Sequence, residues 1–246
     1  MKVKRFFISN LPLEVKETVQ LTKEDYNYIV NVIRLKEGDN LILTNNTGYD
    51  FLCSILEINK KNVTIKVQEK TVNNNETNIN LTVCQALVKK DNLELITQKI
   101  TELGAKTLIP FTSQFTTVKQ NTNKANRLQK IANSASSQCN RSKTLHVSSL
   151  TTLKNLPEKL INYDLVILAY EKQKSSLSEV LINNKNAKNI AIIIGSEGGF
   201  SKEEVELLKT KIKNLKVVGL GNRILRAETA SISLTSIIMY QTGELS

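Results

Sequence analysis

The chain has 246 residues, 40% of them hydrophobic and 23% charged, enough apolar content for one large or two modest cores and too much for a disordered chain. No apolar run approaches the roughly 20 residues of a membrane span, and the charged start Met1-Lys2-Val3-Lys4-Arg5 lacks a signal-peptide pattern, so a cytoplasmic protein is expected. Three scattered cysteines (Cys53, Cys84, Cys139) and a single His146 argue against a disulfide framework, a metal centre and a histidine-based hydrolase, and no metal is expected.

The first 70 residues read as mainly β. Lys23 to Leu35 fits a short helix with Tyr26, Ile29, Val30 and Ile33 on one face and Thr22 as N-cap. Leu41–Thr44 and Tyr49–Ile55 flank the turn Asn45-Asn46-Thr47-Gly48 as a hairpin, and Lys61–Val67 alternates with the period of a half-buried strand. A small barrel with one helix fits this pattern. The polar, aperiodic run Thr71–Asn78 marks a boundary, giving domains 1–72 and 73–246.

Beyond it strands and helices alternate. Leu81–Leu87 is a strand and Asp91–Gly104 a helix, with Leu93, Ile96, Ile100 and Leu103 on its apolar face and Gly104 as its stop. Thr107–Phe111 is a strand and Lys124–Cys139 a helix. Leu165–Tyr170 and Ile190–Ile194 are continuous apolar runs, the pattern of strands buried on both faces. Lys202–Lys213 is a helix with Ser201 and Glu204 as a capping box, Lys216–Leu220 a strand and Ala230–Tyr240 a closing helix. The alternation predicts an α/β domain with a largely parallel sheet.

The net charge of +11 is unevenly placed. From Gly104 to Pro157 there is no Asp or Glu but eight basic residues: Lys106, Lys119, Lys124, Arg127, Lys130, Arg141, Lys143 and Lys154. Such a field attracts polyanions, and nucleic acid is the expected partner.

Two loops carry the specific signal. Gly195-Ser196-Glu197-Gly198-Gly199-Phe200-Ser201 and Leu220-Gly221-Asn222-Arg223-Ile224-Leu225-Arg226-Ala227-Glu228-Thr229-Ala230 each join a strand to a helix, where open α/β sheets bind ligands. The first has no lysine and places Glu197 in mid-turn. A carboxylate opposes a phosphate but suits ribose hydroxyls or a cation. S-adenosylmethionine, with an adenosine, a sulfonium and no phosphate, fits this chemistry better than a nucleotide.

At these residues the chain resembles the ribosomal RNA small subunit methyltransferase E family, of the SPOUT class, which methylates N3 of a uridine. The resemblance spans nearly the whole chain: Arg5-Phe6-Phe7, Ile29–Leu35, Gln85–Lys90, Gln98–Gly104, Ser137–Arg141 and the two loops. It departs from the family pattern at Tyr28, Ser137, Asn140, Ser196 and Asn222. The resemblance implies a PUA-like barrel, then a C-terminal domain with a trefoil knot. It implies S-adenosylmethionine held by Leu168, Ile194, Gly195, Ser196, Glu197, Gly198, Gly199, Leu220, Gly221, Ile224, Leu225 and Ala227, in a homodimer acting on small-subunit ribosomal RNA or the assembled subunit.

Methylating N3 requires loss of its proton, and the negative charge spreads to O2 and O4. Arg226, then Arg223, are the candidates to stabilise that charge, and Glu228 to accept the proton or orient Arg226. Glu228 could equally be a helix N-terminal acid stabilised by the dipole. Arg5, Arg34, Lys124, Arg127, Lys130 and Arg141 are the expected RNA contacts. A non-catalytic RNA-binding protein, or a methyltransferase of the same class with another RNA target, remains open at this point.

Overall fold

The computed structural model describes residues 3–8, 11–22, 24–117, 124–173 and 175–245, with backbone alone for Glu24 and Lys124. The expectations for Lys119 and for the Lys124 side chain lie outside the described residues. No helix among the described residues is long and apolar enough to cross a membrane. The chain forms two compact units: the part up to Glu76 together with Ser136–Thr144, and Thr77–Ala135 together with Leu145–Ser246.

The first unit is built on β1 (Lys4–Phe7), β2 (Thr18–Thr22), α1 (Glu24–Asn27), β3 (Asn40–Thr44), β4 (Tyr49–Ile58) and β5 (Asn62–Val72). Its five-stranded sheet has the order β1-β3-β4-β5-β2, with β1 parallel to β3 and the other pairs antiparallel. Register shifts at Leu52/Cys53 and Ile55/Glu57 increase the twist of the long β4–β5 ribbon, as bulges do. The sheet folds over one apolar interior that includes Leu21, Ile29, Leu41, Leu43, Phe51, Ile55, Val63 and Ile65. The hairpin turn is made by Asn46 and Gly48 at positive φ.

The helix expected over residues 23–35 takes a different form. After α1 the chain widens into a π-turn, Tyr28–Val32, with Ile33 N–H donating to the Tyr28 carbonyl at 2.9 Å. The wider turn lets Tyr28 stack on Phe6, ring centroids 4.9 Å apart, while Ile29 stays fully buried. Thr22 is not its N-cap: it ends β2, paired with Asn62.

Two arginines of this unit are built into its framework. Arg5 donates to both carboxylate oxygens of Asp50 at 2.5 and 2.6 Å, and Asn73 donates to the same carboxylate. Arg141, 3% exposed, pairs with Glu76 at 3.0 Å, and the Ser142 and Lys143 backbone N–H groups donate to that carboxylate too. A guanidinium held this way orders its loop and is not presented to an outside anion.

The second unit contains β6 (Asn80–Ala86), α2 (Lys90–Glu102), β7 (Thr107–Thr112), most of α3 (Lys124–Gln138), β8 (His146–Val147), β9 (Thr151–Thr152), α4 (Leu156–Lys159), β10 (Leu165–Ala169), α5 (Leu177–Asn183), β11 (Asn189–Ile194), α6 (Lys202–Lys211), β12 (Leu215–Val218) and α7 (Ala227–Gln241). Its seven strands form one parallel sheet, β12-β10-β11-β6-β7-β8, with β9 also on β7. Alternate residues of the apolar strands supply two cores. Leu81, Val83, Leu165, Ile167, Ile190 and Ile192 meet α2, α3 and α7 on one face. Cys84, Ala86, Val166, Leu168, Ala191 and Ile193 meet α4 and α6 on the other. Burial on both faces is why these strands read as unbroken apolar runs.

Candidate active site

Both glycine-containing loops leave the carboxyl ends of strands of the parallel sheet. Together with the turn after β10 and the start of α2 they line one cavity of about 650 Å³, within the usual range for a small-molecule site. The first loop contributes Ile194–Phe200 and the second Leu220, Gly221 and Arg223–Glu228, with Ala230 behind them. Ile194, Gly195, Ser196, Glu197, Gly198, Gly199, Leu220, Gly221, Ile224, Leu225 and Ala227 all line it, as do Arg223, Arg226 and Glu228. Leu168 does not. It is fully buried in the core against α4 and α6, and its successors on β10 and the following turn, Ala169, Tyr170 and Glu171, reach the cavity instead.

The first loop is held tightly. Gly199 N–H donates to the Ser196 carbonyl at 3.0 Å, closing the turn, and Gly199 takes φ +68°, a conformation that favours glycine. Ser196 Oγ donates to the Phe115 carbonyl, and a Cβ on Gly198 would lie 2.7 Å from that of Phe115. Below the turn the capping box predicted for Ser201 and Glu204 is present, and Glu204 also accepts from Gln114 N–H at 2.7 Å. The loop therefore presents a rigid, largely main-chain rim.

The second loop is equally constrained at its root. A Cβ on Gly219 would fall 2.1 Å from the Gln173 carbonyl oxygen, so β12 can end there only on glycine. Gly219 N–H donates to the Ser175 carbonyl, and Tyr170 N–H to that of Val218. The closing helix begins three residues earlier than its apolar pattern suggests. Arg226 is its N-cap, with an exposed side chain, and Glu228 lies in its first turn. Glu228 accepts a 3.2 Å hydrogen bond from Asn92 Nδ2, and Glu197 accepts one of 3.2 Å from the Lys89 backbone N–H.

The cavity thus gathers three carboxylates (Glu171, Glu197, Glu228), two arginines and Lys89 around glycine backbone. Lys89, Asn92, Tyr170 and Glu171 were not singled out from the sequence. The rule that ligands sit beyond strand ends would have found Tyr170 and Glu171, which follow the buried run Leu165–Ala169. Asn92 carries no comparable signal, because only the packing of α2 beside α7 brings it to Glu228.

The candidate RNA contacts fall elsewhere. Arg127 on α3 is 57% exposed and pairs with Glu94 of α2 at 2.6 Å, which raises its already high pKa. Lys130 is exposed on the same helix, and Arg34 is exposed at φ +57° after the π-turn.

Known proteins share this organisation. The chain matches the model of an RNA methyltransferase domain over residues 75–239 and that of an RNA methyltransferase PUA domain over residues 21–68. It is 34% identical to ribosomal RNA small subunit methyltransferase E of Bacillus subtilis (strain 168), covering 98% of this chain and 97% of that protein. Among solved structures, ribosomal RNA small subunit methyltransferase E of Neisseria gonorrhoeae, bound to S-adenosyl methionine, superposes with a TM-score of 0.89 at 22% identity, covering 97% of both chains. A methyltransferase of Legionella pneumophila, in complex with the same cofactor, gives 0.88 at 24% identity over 98% of both. The match at 34% identity runs over nearly the full length and leaves one assignment: the chain belongs to the ribosomal RNA small subunit methyltransferase E family.

Proposed function

We propose that the protein is an S-adenosylmethionine-dependent methyltransferase that modifies N3 of a uridine in small-subunit ribosomal RNA. One observation carries the reading: a single cavity lined by both glycine loops, with carboxylates and arginines but without the lysine-bearing loop of a phosphate site. The cofactor fits what is there. Glycine backbone at 195, 198, 199 and 221 lets a flat adenosine approach closely, and three carboxylates suit ribose hydroxyls and a cationic sulfonium. When bound, S-adenosylmethionine supplies an activated methyl group.

The chain's own residues supply alignment and charge. The two rigid loop rims fix the geometry, and orienting two reactants is worth roughly 7–11 kcal/mol. Arg226, at the positive end of α7, faces the charge that develops on O2 or O4 of the uracil, with Arg223 beside it in the same loop. Glu228 accepts the N3 proton or orients Arg226, and Asn92 steadies its carboxylate. The first unit, bounded at residue 72 by the sequence and running to Glu76 with Ser136–Thr144 in the fold, positions the RNA, and the second is catalytic.

Arg34, Lys124, Arg127 and Lys130 are the RNA contacts we retain, whereas Arg5 and Arg141 hold the framework of the first unit through Asp50 and Glu76. An exposed pair such as Arg127–Glu94 contributes little stability, so its arginine can exchange partners for a phosphate. We propose further that the protein works in the cytoplasm as a homodimer. Ile224 on the cavity rim, 87% exposed, supports a second surface closing over the site. The close approach of Gly219 to Gln173, and its hydrogen bond to the Ser175 carbonyl, support a knotted path there. Calorimetric titration tests the cofactor: S-adenosylmethionine and S-adenosylhomocysteine should bind one per chain and resist competition by ATP. Binding of ATP in preference to both would reject the reading.

A further inference from the structure

The segment from the end of β6 to the first turn of α2 reaches both loops by four side-chain or main-chain hydrogen bonds. Gln85 Nε2 donates to the Gly195 carbonyl at 3.1 Å, and Lys89 N–H donates to Glu197, so two bonds go to the first loop. Ser231 Oγ donates to Gln85 Oε1, and Asn92 donates to Glu228, so two go to the start of α7. Gln85 is the buried anchor of this bracket. It is 0% exposed at the next-to-last position of β6, between buried Cys84 and Ala86, and its second amide hydrogen goes to the Ala86 carbonyl at 2.9 Å. A primary amide in such a place costs desolvation unless its partners are met, and here both hydrogens and the oxygen are engaged. Its partners are informative: Gly195 opens the first loop, and Ser231 lies one helical turn beyond Glu228.

We infer that Gln85 is a positioning residue that sets the cofactor-facing loop and the Arg226–Glu228 end of α7 in fixed relation to each other. The inference rests on the methyltransferase reading of the cavity. Gln85 is buried behind the cavity and does not line it. It acts through Gly195 on one side and Ser231 on the other, so its two contacts should be separable in kinetics.

Ser231→Ala frees α7 alone and should lower kcat about tenfold while the Kd for S-adenosylhomocysteine stays within about twofold. Gln85→Met, of similar length without the amide, should lower kcat, weaken that Kd about tenfold and speed amide exchange at Ser196–Gly199. Adding Ser231→Ala to Gln85→Met should cost nothing more, since the shared bond is already gone. Additive losses in the double variant, or a lowered Tm with kcat, Kd and loop exchange unchanged, would reduce Gln85 to a stabilising core residue and overturn the inference. If Gln85→Met does not fold, Ser231→Ala decides: a Kd weakened in step with kcat counts against it. Should the wild type transfer no methyl group, the functional reading fails, while loop exchange in Gln85→Met still judges the bracket.

Discussion

Arg226 stands at the N-cap of α7, where the helix dipole opposes a cation and where asparagine, aspartate or serine would be the stable choice. Its side chain makes no capping bond, so stability does not explain an arginine there. The proposed role toward negative charge does. Arg226→Ala should therefore lower kcat by about 100-fold or more with cofactor affinity within a few fold, read by single-turnover methylation; near-normal turnover removes Arg226 from the chemistry. Glycines make a second contrast at this scale. Gly219→Ala drives a Cβ to 2.1 Å from the Gln173 carbonyl, a backbone atom that cannot step aside, whereas a Cβ at Gly221 meets nothing within 4 Å and suffers only from φ +92°. In urea denaturation Gly219→Ala should lose more than about 3 kcal/mol and Gly221→Ala only about 1–2 kcal/mol. Equal losses would mean that the crossing at Gly219 is looser than described.

At the level of elements, long regular segments were legible because each carries its own pattern: the apolar runs of β10 and β11, the apolar face of α2, the capping box of α6. Segments whose form depends on distant partners were not. The π-turn after α1 goes with the Phe6–Tyr28 stack, a partner far away in sequence, and β1, a charged Lys-Arg-Phe-Phe sequence, becomes a strand only beside β3. Asp164, between α4 and β10, is another distant partner. It accepts from the backbone N–H groups of Asn189 and Lys188, and these bonds, Asn189 first, hold its carboxyl below the usual carboxylate range. A folded pKa below the unfolded one gives stability that is fully present above the unfolded value and fades as pH falls through the folded one. Asp164→Ala should thus lower Tm at neutral pH, and its gap from wild type should begin to narrow below about pH 4 and close as pH falls through the folded pKa. A gap independent of pH would mean the aspartate acts through packing rather than charge.

For the whole molecule, the sequence carried the function further than it carried the surfaces. The loops at Gly195 and Leu220 could be recognised because each is a short, contiguous run with its own glycine and charge pattern. The bracket from Gln85 to Asn92 could not, since its partners lie more than a hundred residues away. Basic charge was legible as a total but not by location. Arg141 counted toward the polyanion field, yet Glu76 holds it inside the first unit, and Arg5 is held likewise by Asp50. The field that remains on α3 should still govern RNA affinity. Arg127→Ala with Lys130→Ala should weaken RNA binding and reduce the slope of log K against log salt by about one to two units, whereas Arg5→Ala should mainly lower stability. An unchanged slope would take α3 out of the RNA interface.

The most direct test of the central claim is nucleoside mass spectrometry on small ribosomal subunits that lack the uridine modification. Incubated with the purified protein and S-adenosylmethionine, then digested, their RNA should yield 3-methyluridine, and none should appear without the cofactor or with Arg226→Ala. A methylated nucleoside of another kind, or no methylation by a protein that binds the cofactor, would contradict the assigned reaction.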